Sequence, residues 1–327
     1  MQQPTVMSAS ARSLRWLASM RLTQVLLGML ALATLLSYLA RGIDSVTLGV
    51  PLALLVANLV AAVITNAAFR RQPALLMFHL ALVAVVSLLG LGQLTSVNGR
   101  FELTEGVAYD GTLLGGTRGY LSPQLMDASF VHEGFTIEYA AGMRRGRTRN
   151  PVKWIDDRGV ERHDAIGDQK PLSINGYRFY TTANKGFAPL LDWSGEGAAP
   201  VRGAVHLPSY PLHEHEQLRD WQPAGLSAPI RIALVLEGPI IDRDQASVLS
   251  LPARHTIVVQ AGGVRAELRP GDTAVLPGGT LRYVGLRTWM GYRVTYDMTS
   301  IWLLAACLVA IAALLWHYVA KFRGRPW

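Results

Sequence analysis

Ala74-Leu-Leu-Met-Phe-His-Leu-Ala-Leu-Val-Ala-Val-Val-Ser-Leu-Leu-Gly-Leu-Gly-Gln-Leu94 contains a single ionisable side chain, His79, in a run of 21 residues. Crossing a bilayer takes about 20 predominantly apolar residues, so the run reads as a transmembrane helix. An imidazole in hydrocarbon is costly unless it is paired, hydrogen-bonded or bound to something, which makes His79 a candidate functional residue. Two readings stand side by side: a ligand or proton relay, and a structural histidine bonded to a polar neighbour on another helix.

Outward from this run, three more blocks are long enough to cross: Leu22–Ala40, Leu48–Phe69 and Ser300–Ala320. They define an N-terminal membrane region over 1–94 with spans 22–40, 48–69 and 74–94, a polar stretch over 95–299, and a closing span with its tail over 300–327. The polar stretch is large enough for one domain or two small ones. The first span is too long and too closely followed by the second to read as a cleaved signal, so an uncleaved anchor is expected.

Charge fixes the expected orientation. Arg12, Arg15 and Arg21 precede the first span, Arg70 and Arg71 lie between the second and third, and Lys321, Arg323 and Arg325 follow the fourth, with no acid among them. The loop between spans one and two carries only Arg41, offset by Asp44. Positive-inside counting puts both termini in the cytoplasm and the polar stretch outside, in the periplasm where there is one. Within 95–299, 22 Lys and Arg face 22 Asp and Glu. The outer domain is thus formally neutral, and the net charge of +8 is a topology signal that argues against nucleic-acid binding.

The only cysteine, Cys307, falls in the fourth span, so the outer domain has no disulfide. Without Cys-x-x-Cys the chain is no thiol oxidoreductase, and without Cys-x-x-Cys-His it cannot hold haem covalently. From Phe130 onward, short alternating segments are broken by Gly, Pro and Asp. Phe135–Tyr139, Tyr177–Tyr180, Ile230–Leu236, Thr256–Gln260, Leu281–Val284 and Tyr292–Tyr296 read as strands, and Asp156-Asp-Arg-Gly159 as a hairpin turn between Val152–Ile155 and Val160–His163. The fold class expected is an α-helical membrane protein with four spans carrying a large extracytoplasmic antiparallel β-sandwich-like domain. Gly195–Pro229, rich in Pro and Gly, reads as a linker or long loop that could divide the domain into two β-lobes.

Chemistry in the outer domain is thin. No phosphate loop, nucleophile elbow or His-Glu-x-x-His is present, so no catalytic residues are assigned. His213-Glu-His215, with His206 seven residues earlier, has ligand chemistry for a divalent metal. In a polar loop such a cluster reads first as solvated surface, and no metal site is assigned. The basic run Arg144-Arg-Gly-Arg-Thr-Arg149 is suited to carboxylates or haem propionates, and reads otherwise as a solvated loop.

Imidazole is also an axial ligand of haem iron. His79 lies about 8 Å along its helix from the cytoplasmic end, and His317 about 6 Å from Lys321 on the antiparallel fourth span. Two imidazoles at similar depth form a possible bis-histidine pair. His317, beside Trp316 and Tyr318, reads first as a residue of the interfacial aromatic belt, which leaves His79, deeper and flanked only by apolar residues, the stronger candidate.

The chain resembles the ResB/CcsB family of cytochrome c biogenesis proteins, the membrane partner of CcsA in the system II pathway. The resemblance rests on the order and spacing of several segments and covers most of the length. Leu17-Ala-Ser-Met-Arg-Leu22 is similar to the family's approach to span one. Phe78-His-Leu80 and Gly99-Arg-Phe-Glu-Leu-Thr-Glu-Gly106 are similar to its third span and exit. Pro171-Leu-Ser-Ile-Asn-Gly-Tyr-Arg-Phe-Tyr180 resembles an outer-domain motif, and Gly291-Tyr-Arg-Val-Thr-Tyr-Asp297 the return to the membrane.

The resemblance implies a multi-pass protein of the bacterial inner membrane with its large domain in the periplasm. It implies a non-catalytic subunit of a cytochrome c synthase that helps move haem outward and present it to apocytochrome c. His79 matches the family histidine held to be one axial ligand of a non-covalent haem b, the other coming from the CcsA-like partner. Haem, apocytochrome c, that partner and membrane lipid are then the expected partners. Two alternatives remain: a structural or interaction subunit of another membrane complex, and a b-haem electron carrier using His79 and His317.

Overall fold

The computed structural model describes residues 9–39, 45–195, 199–223, 226 and 228–324. Arg41, Asp44 and Arg325 of the charge argument, the last residue of span 22–40, and residues 196–198 of the expected linker lie outside the described residues. The chain forms two units. One holds residues 1–99, 116–123 and 295–327; the other holds 100–115 and 124–294.

The first unit is helical. A short amphipathic helix α1 (Ala9–Leu17) precedes α2 (Met20–Leu39), α3 (Ser45–Thr65), α4 (Ala67–Arg71), α5 (Pro73–Thr95) and, after the second unit, α6 (Ser300–Phe322). Among the described residues, four of these are long and apolar enough to cross a membrane: Met20–Leu39, Thr47–Thr65, Pro73–Thr95 and Ser300–Phe322. The second ends at Thr65 rather than continuing to Phe69 as the sequence suggests. Asn66 breaks it: its side-chain oxygen accepts from the Ala68 amide at 3.0 Å and caps α4.

The helices differ in what they bury: α2 and α3 bury Leu26, Leu48, Leu52 and Leu55, whereas α5 and α6 bury small residues. α5 and α6 pack on each other. α6 buries only Ala310, Ala313 and Ala320, and α5 buries Ala74, Ala81 and Thr95. Leu35, Leu36, Leu304, Ile311 and Leu315 are exposed. Close approach through alanine, as between α5 and α6, is one way helices associate in lipid.

One polar side chain organises the start of the bundle. Asn58, in the middle of α3, is buried. Its Nδ2 donates to the Leu17 carbonyl, and its Oδ1 accepts from Thr23 Oγ1 at 2.8 Å. Leu17 ends α1, and Ser19 opens α2 by accepting from the Leu22 amide at 3.3 Å. Asn58 therefore clips the break between α1 and α2 to α3.

Among the described residues the strands form three antiparallel sheets, most of which lie in the second unit. The largest runs β2 (Gly115–Arg118), β1 (Val97–Thr104), β16 (Gly279–Tyr296), β8 (Tyr177–Gly195), β7 (Leu172–Ile174), with β15 (Thr273–Leu276) on β16 and β9 (Val201–Ala204) on β8. A second runs β10 (Leu218–Trp221), β11 (Ile230–Leu236), β13 (His255–Ala261), β14 (Val264–Leu268). The third runs β12 (Ser247–Leu249), β4 (Thr136–Ala140), β5 (Arg144–Ile155), β3 (Val131–His132), with β6 (Glu161–Gly167) on β5.

The expected hairpin is present. Ile155 pairs Glu161, Asp156 Oδ1 accepts from the Arg158 and Val160 amides, and Gly159 takes φ +75°. An Asx turn with glycine in the left-handed region is what that sequence favours.

Three expectations change. Tyr177–Tyr180 is the start of a 19-residue strand, and Leu281–Val284 joins Tyr292–Tyr296 in one strand of 18. The Gly195–Pro229 segment is no linker between lobes. It contains β9 and β10, which pair β8 and β11, and 124–294 forms one compact unit with 100–115. The basic run is no solvated loop but the first half of β5. Thr148 and Asn150 point inward there, while Arg145, Arg147 and Arg149 point out. At the core, Phe101 stacks on Tyr109 (centroids 3.9 Å apart) and Tyr292 (5.2 Å), and Phe130 packs on Phe179 (5.0 Å).

Candidate functional site

His79 stands six residues into α5, just past the α4 turn. That turn places the buried Phe69 against its imidazole, with ring centroids 4.3 Å apart at 47°. Phe78 adds an edge contact at 5.4 Å. His79 Nδ1 lies 2.8 Å from the Leu75 carbonyl one turn back. A carbonyl can only accept, so Nδ1 carries a proton, and in this tautomer the lone pair of the ring is at Nε2. Among the described residues no hydrogen bond engages Nε2. A backbone bond that fixes the tautomer and orients the ring is the usual support behind a histidine ligand.

Val86 and Gly90 lie seven and eleven residues after His79, on the same face of α5. They line an apolar groove of about 530 Å³ between α3 and α5, with Gly49, Leu52, Ala53 and Val56 opposite. Cofactor sites commonly have such volumes and apolar walls. The groove begins about 10 Å along the helix from His79.

His317 sits on α6, with Tyr318 edge-on at 5.7 Å. The α5–α6 register can be read near Gly92, where a Cβ would come within 2.9 Å of Thr299 Oγ1. From that level His79 is about 20 Å away along α5 and His317 about 27 Å along α6. The Cα levels of the two residues thus differ by about 7 Å. Two axial nitrogens must face each other across one iron, so an intrachain pair would need the two side chains to make up that difference.

The second unit holds histidines with other tasks. His132 is fully buried and escapes a sequence reading because no local pattern marks it. Asn150 Nδ2 donates to its Nδ1 (2.7 Å) and to the Gly134 carbonyl (2.7 Å), and the Tyr292 hydroxyl donates to Asn150 Oδ1 (2.6 Å). Nε2 then carries the proton and faces Thr288 Oγ1 at 3.3 Å, and Thr288 donates onward to Glu105 (2.8 Å). Burial, with a smaller contribution from His206, pushes the His132 pKa from 6.5 down to about 3, so the ring is neutral. Burial also pushes the Tyr292 phenol well up.

His206, read from sequence as a companion of His213 and His215, is held elsewhere. Its Nδ1 donates to Glu102 (2.9 Å), its Nε2 accepts from Thr104 Oγ1 (2.8 Å), and its ring stacks on Trp289 at 5.0 Å and 7°. Carboxylate, imidazole and hydroxyl stand in the order that activates a nucleophile. Thr104 is buried, however, and the arrangement reads as a clamp from β1 to the segment after β9. His213 faces Glu216 at 3.6 Å, while His215 is 88% exposed beside Glu214. Among the described residues no group of three or more His, Cys, Asp or Glu side chains is placed to hold a metal ion.

In the basic strand, Arg145 pairs with Asp168 at 2.6 Å. Nearby Lys185, buried in β8, is a second residue that sequence reading missed. Burial and the Arg145 charge lower its pKa to about 8, against a smaller opposing pull from Asp168.

Fold and site define a class. The chain joins a region of four helices with the length and apolarity of membrane spans to a large antiparallel β unit, with His79 and His317 inside those helices and the His79 ring bonded at Nδ1. No family model matches the chain, and no curated protein matches it in sequence.

Proposed function

We propose that this chain is the membrane subunit of a system II cytochrome c synthase, which receives haem at His79 and presents it to apocytochrome c with a CcsA-like partner. The observation that carries the reading is the His79 ring: Nδ1–H on the Leu75 carbonyl leaves Nε2 as a base in an apolar helix. Such a nitrogen fits one axial position of haem iron. Phe69 fixes the plane of the ring, and the apolar groove on the same face of α5 offers a wall of matching polarity. Haem is the cargo here, and supplies the prosthetic group that the apocytochrome receives. The chain's own residues orient the imidazole and hold its tautomer. The second axial ligand is assigned to the partner, as the family resemblance implies. The eight basic residues flanking the spans support cytoplasmic termini, with the β unit outside in the periplasm of an inner-membrane protein.

A structural role is the second reading, favoured by the same Leu75 hydrogen bond, which satisfies half of the ring without any ligand. One experiment separates them. In protein co-expressed with the partner, His79→Ala loses the low-spin haem spectrum and cytochrome c maturation together, and added imidazole restores part of the spectrum. His317→Ala keeps both. Retention of full haem and maturation in His79→Ala makes His79 a packed core histidine. Equal loss in both variants, in partner-free protein, revives the intrachain pair.

A further inference from the structure

A short loop of the helical unit is built as a clasp over one end of α5. The Leu121 amide donates to the Leu94 carbonyl at 2.7 Å, and the Gly119 amide donates to the Ser96 carbonyl at 2.8 Å. Leu94 is among the last residues of α5, whose carbonyls have no partner within the helix, so the loop supplies one of the missing donors. The fit is tight: a Cβ on Gly119 would lie 2.3 Å from the Leu94 oxygen. Arg118 closes the loop, with Nε donating to Ser122 Oγ at 2.9 Å and a terminal nitrogen to the Pro123 carbonyl at 3.1 Å.

This rigid loop turns two apolar side chains outward. Tyr120 is 87% exposed and Leu121 60%. An apolar pair held in the open by a latched backbone needs a partner, and its position says which. The loop lies at the level of Leu94–Ser96, where a bilayer-length helix ends. The contact of Gly92 with Thr299 brings the first turn of α6 to the same end, with Ile301 and Trp302 also exposed. Trp302 and Phe322 are separated by about 30 Å along α6, close to the hydrocarbon thickness. Trp316, Tyr318 and Phe322 are exposed toward the far end. Tyr and Trp collect at both interfaces of a membrane, where the ring meets the acyl boundary and the polar edge meets water.

We infer that the Arg118–Pro123 loop is a membrane-interface anchor, with Tyr120 and Leu121 seated in the headgroup–acyl boundary of the leaflet where α5 and α6 meet the β unit's strands in sequence. Its occupant is lipid. The inference rests on the reading that α5 crosses the bilayer, and the test keeps the two apart.

In a Cys307→Ala background, single cysteines replace Leu121, Leu89 and Asp157 in the full chain. Each is labelled with an environment-sensitive fluorophore and reconstituted in phosphatidylcholine vesicles. Leu89 is an exposed residue within α5, and Asp157 lies in the exposed β5–β6 turn. The expected result is a blue-shifted Leu121 label that loses intensity to lipid carrying a nitroxide near the headgroup end of its acyl chain. The Leu89 label loses intensity to lipid nitroxide too, and the Asp157 label to aqueous iodide. If Leu89 responds to lipid but Leu121 responds to iodide, or to neither quencher, the anchor is overturned while the span stands. If Leu89 itself does not respond to lipid, the membrane reading falls and the anchor falls with it.

Discussion

Acid should weaken the β unit through one residue, His132. In the folded chain its ring is neutral, with Nδ1 accepting from Asn150 and Nε2–H facing Thr288, and burial holds its pKa at about 3 against 6.5 when free. The folded pKa is depressed, so between pH 6.5 and 3 the unfolded chain binds the extra proton. The stability is therefore complete above pH 6.5 and is lost as pH falls. The slope approaches about 1.4 kcal/mol per pH unit for one proton. From pH 7 to 5 the contribution lost is about 2 kcal/mol. Other groups titrate as well, so the measurement is a difference. Urea unfolding of the full chain in mild detergent is followed by tryptophan fluorescence from pH 7 to 5, for the parent and for His132→Gln. The variant is less stable throughout, and the gap between the two narrows by about 2 kcal/mol as pH falls. A gap that stays constant across that range would show that His132 is not held neutral, and would refute the reasoning.

Asn150→Ala strands the Tyr292 hydroxyl and the Gly134 carbonyl and removes the main donor to His132. At about 1–3 kcal/mol per buried unsatisfied group, a loss of about 3–5 kcal/mol is expected in the same unfolding assay. Asn58→Leu leaves the Leu17 carbonyl and Thr23 hydroxyl without their partner; a loss of about 1–2 kcal/mol is expected by detergent denaturation, with faster proteolysis near Ala18. A variant as resistant as the parent would mean that the α1–α2 break is held by something else.

The helices were legible because a bilayer-length apolar run has few competing explanations; their ends moved by one to four residues, most where Asn66 could cap a new turn, and the short amphipathic α1 was not read at all. Strands were legible where one face alone is covered, as in Ile230–Leu236. They were hidden where both faces are. Lys185–Pro189 and Thr288–Gly291 are buried at consecutive positions, so period-two alternation vanishes and two very long strands looked like fragments. The first half of β5 failed for the opposite reason. Its inward positions, Thr148 and Asn150, are polar, and nothing in the run marks an apolar face. Asn58 did leave a signal, a lone amide in an apolar span, which a search for ionisable residues passes over. The His132–Asn150–Tyr292 network left none, since its members come together only when β3, β5 and β16 meet.

What separates His79 from the interior histidines of the β unit is the state of its second nitrogen. His132 gives Nδ1 to Asn150 and Nε2 to Thr288, and His206 gives its pair to Glu102 and Thr104. His255 donates from Nδ1 to the Pro252 carbonyl at 3.1 Å and accepts from the Tyr283 hydroxyl at 2.8 Å. Each of those rings is a bridge with both ends taken, and binding iron would mean breaking a hydrogen bond already made. His79 has one end tied to the backbone of its own helix, which costs no neighbouring side chain and fixes the tautomer a metal needs. In the proposed membrane setting water is scarce around α5, so the second nitrogen is satisfied by a partner or carries the desolvation penalty of an unmade bond. A ligand arriving from a second protein would remove that penalty at the moment of assembly. Haem retention in the proposed complex should therefore depend on the partner, even though the imidazole itself is positioned by Leu75 and Phe69 of this chain.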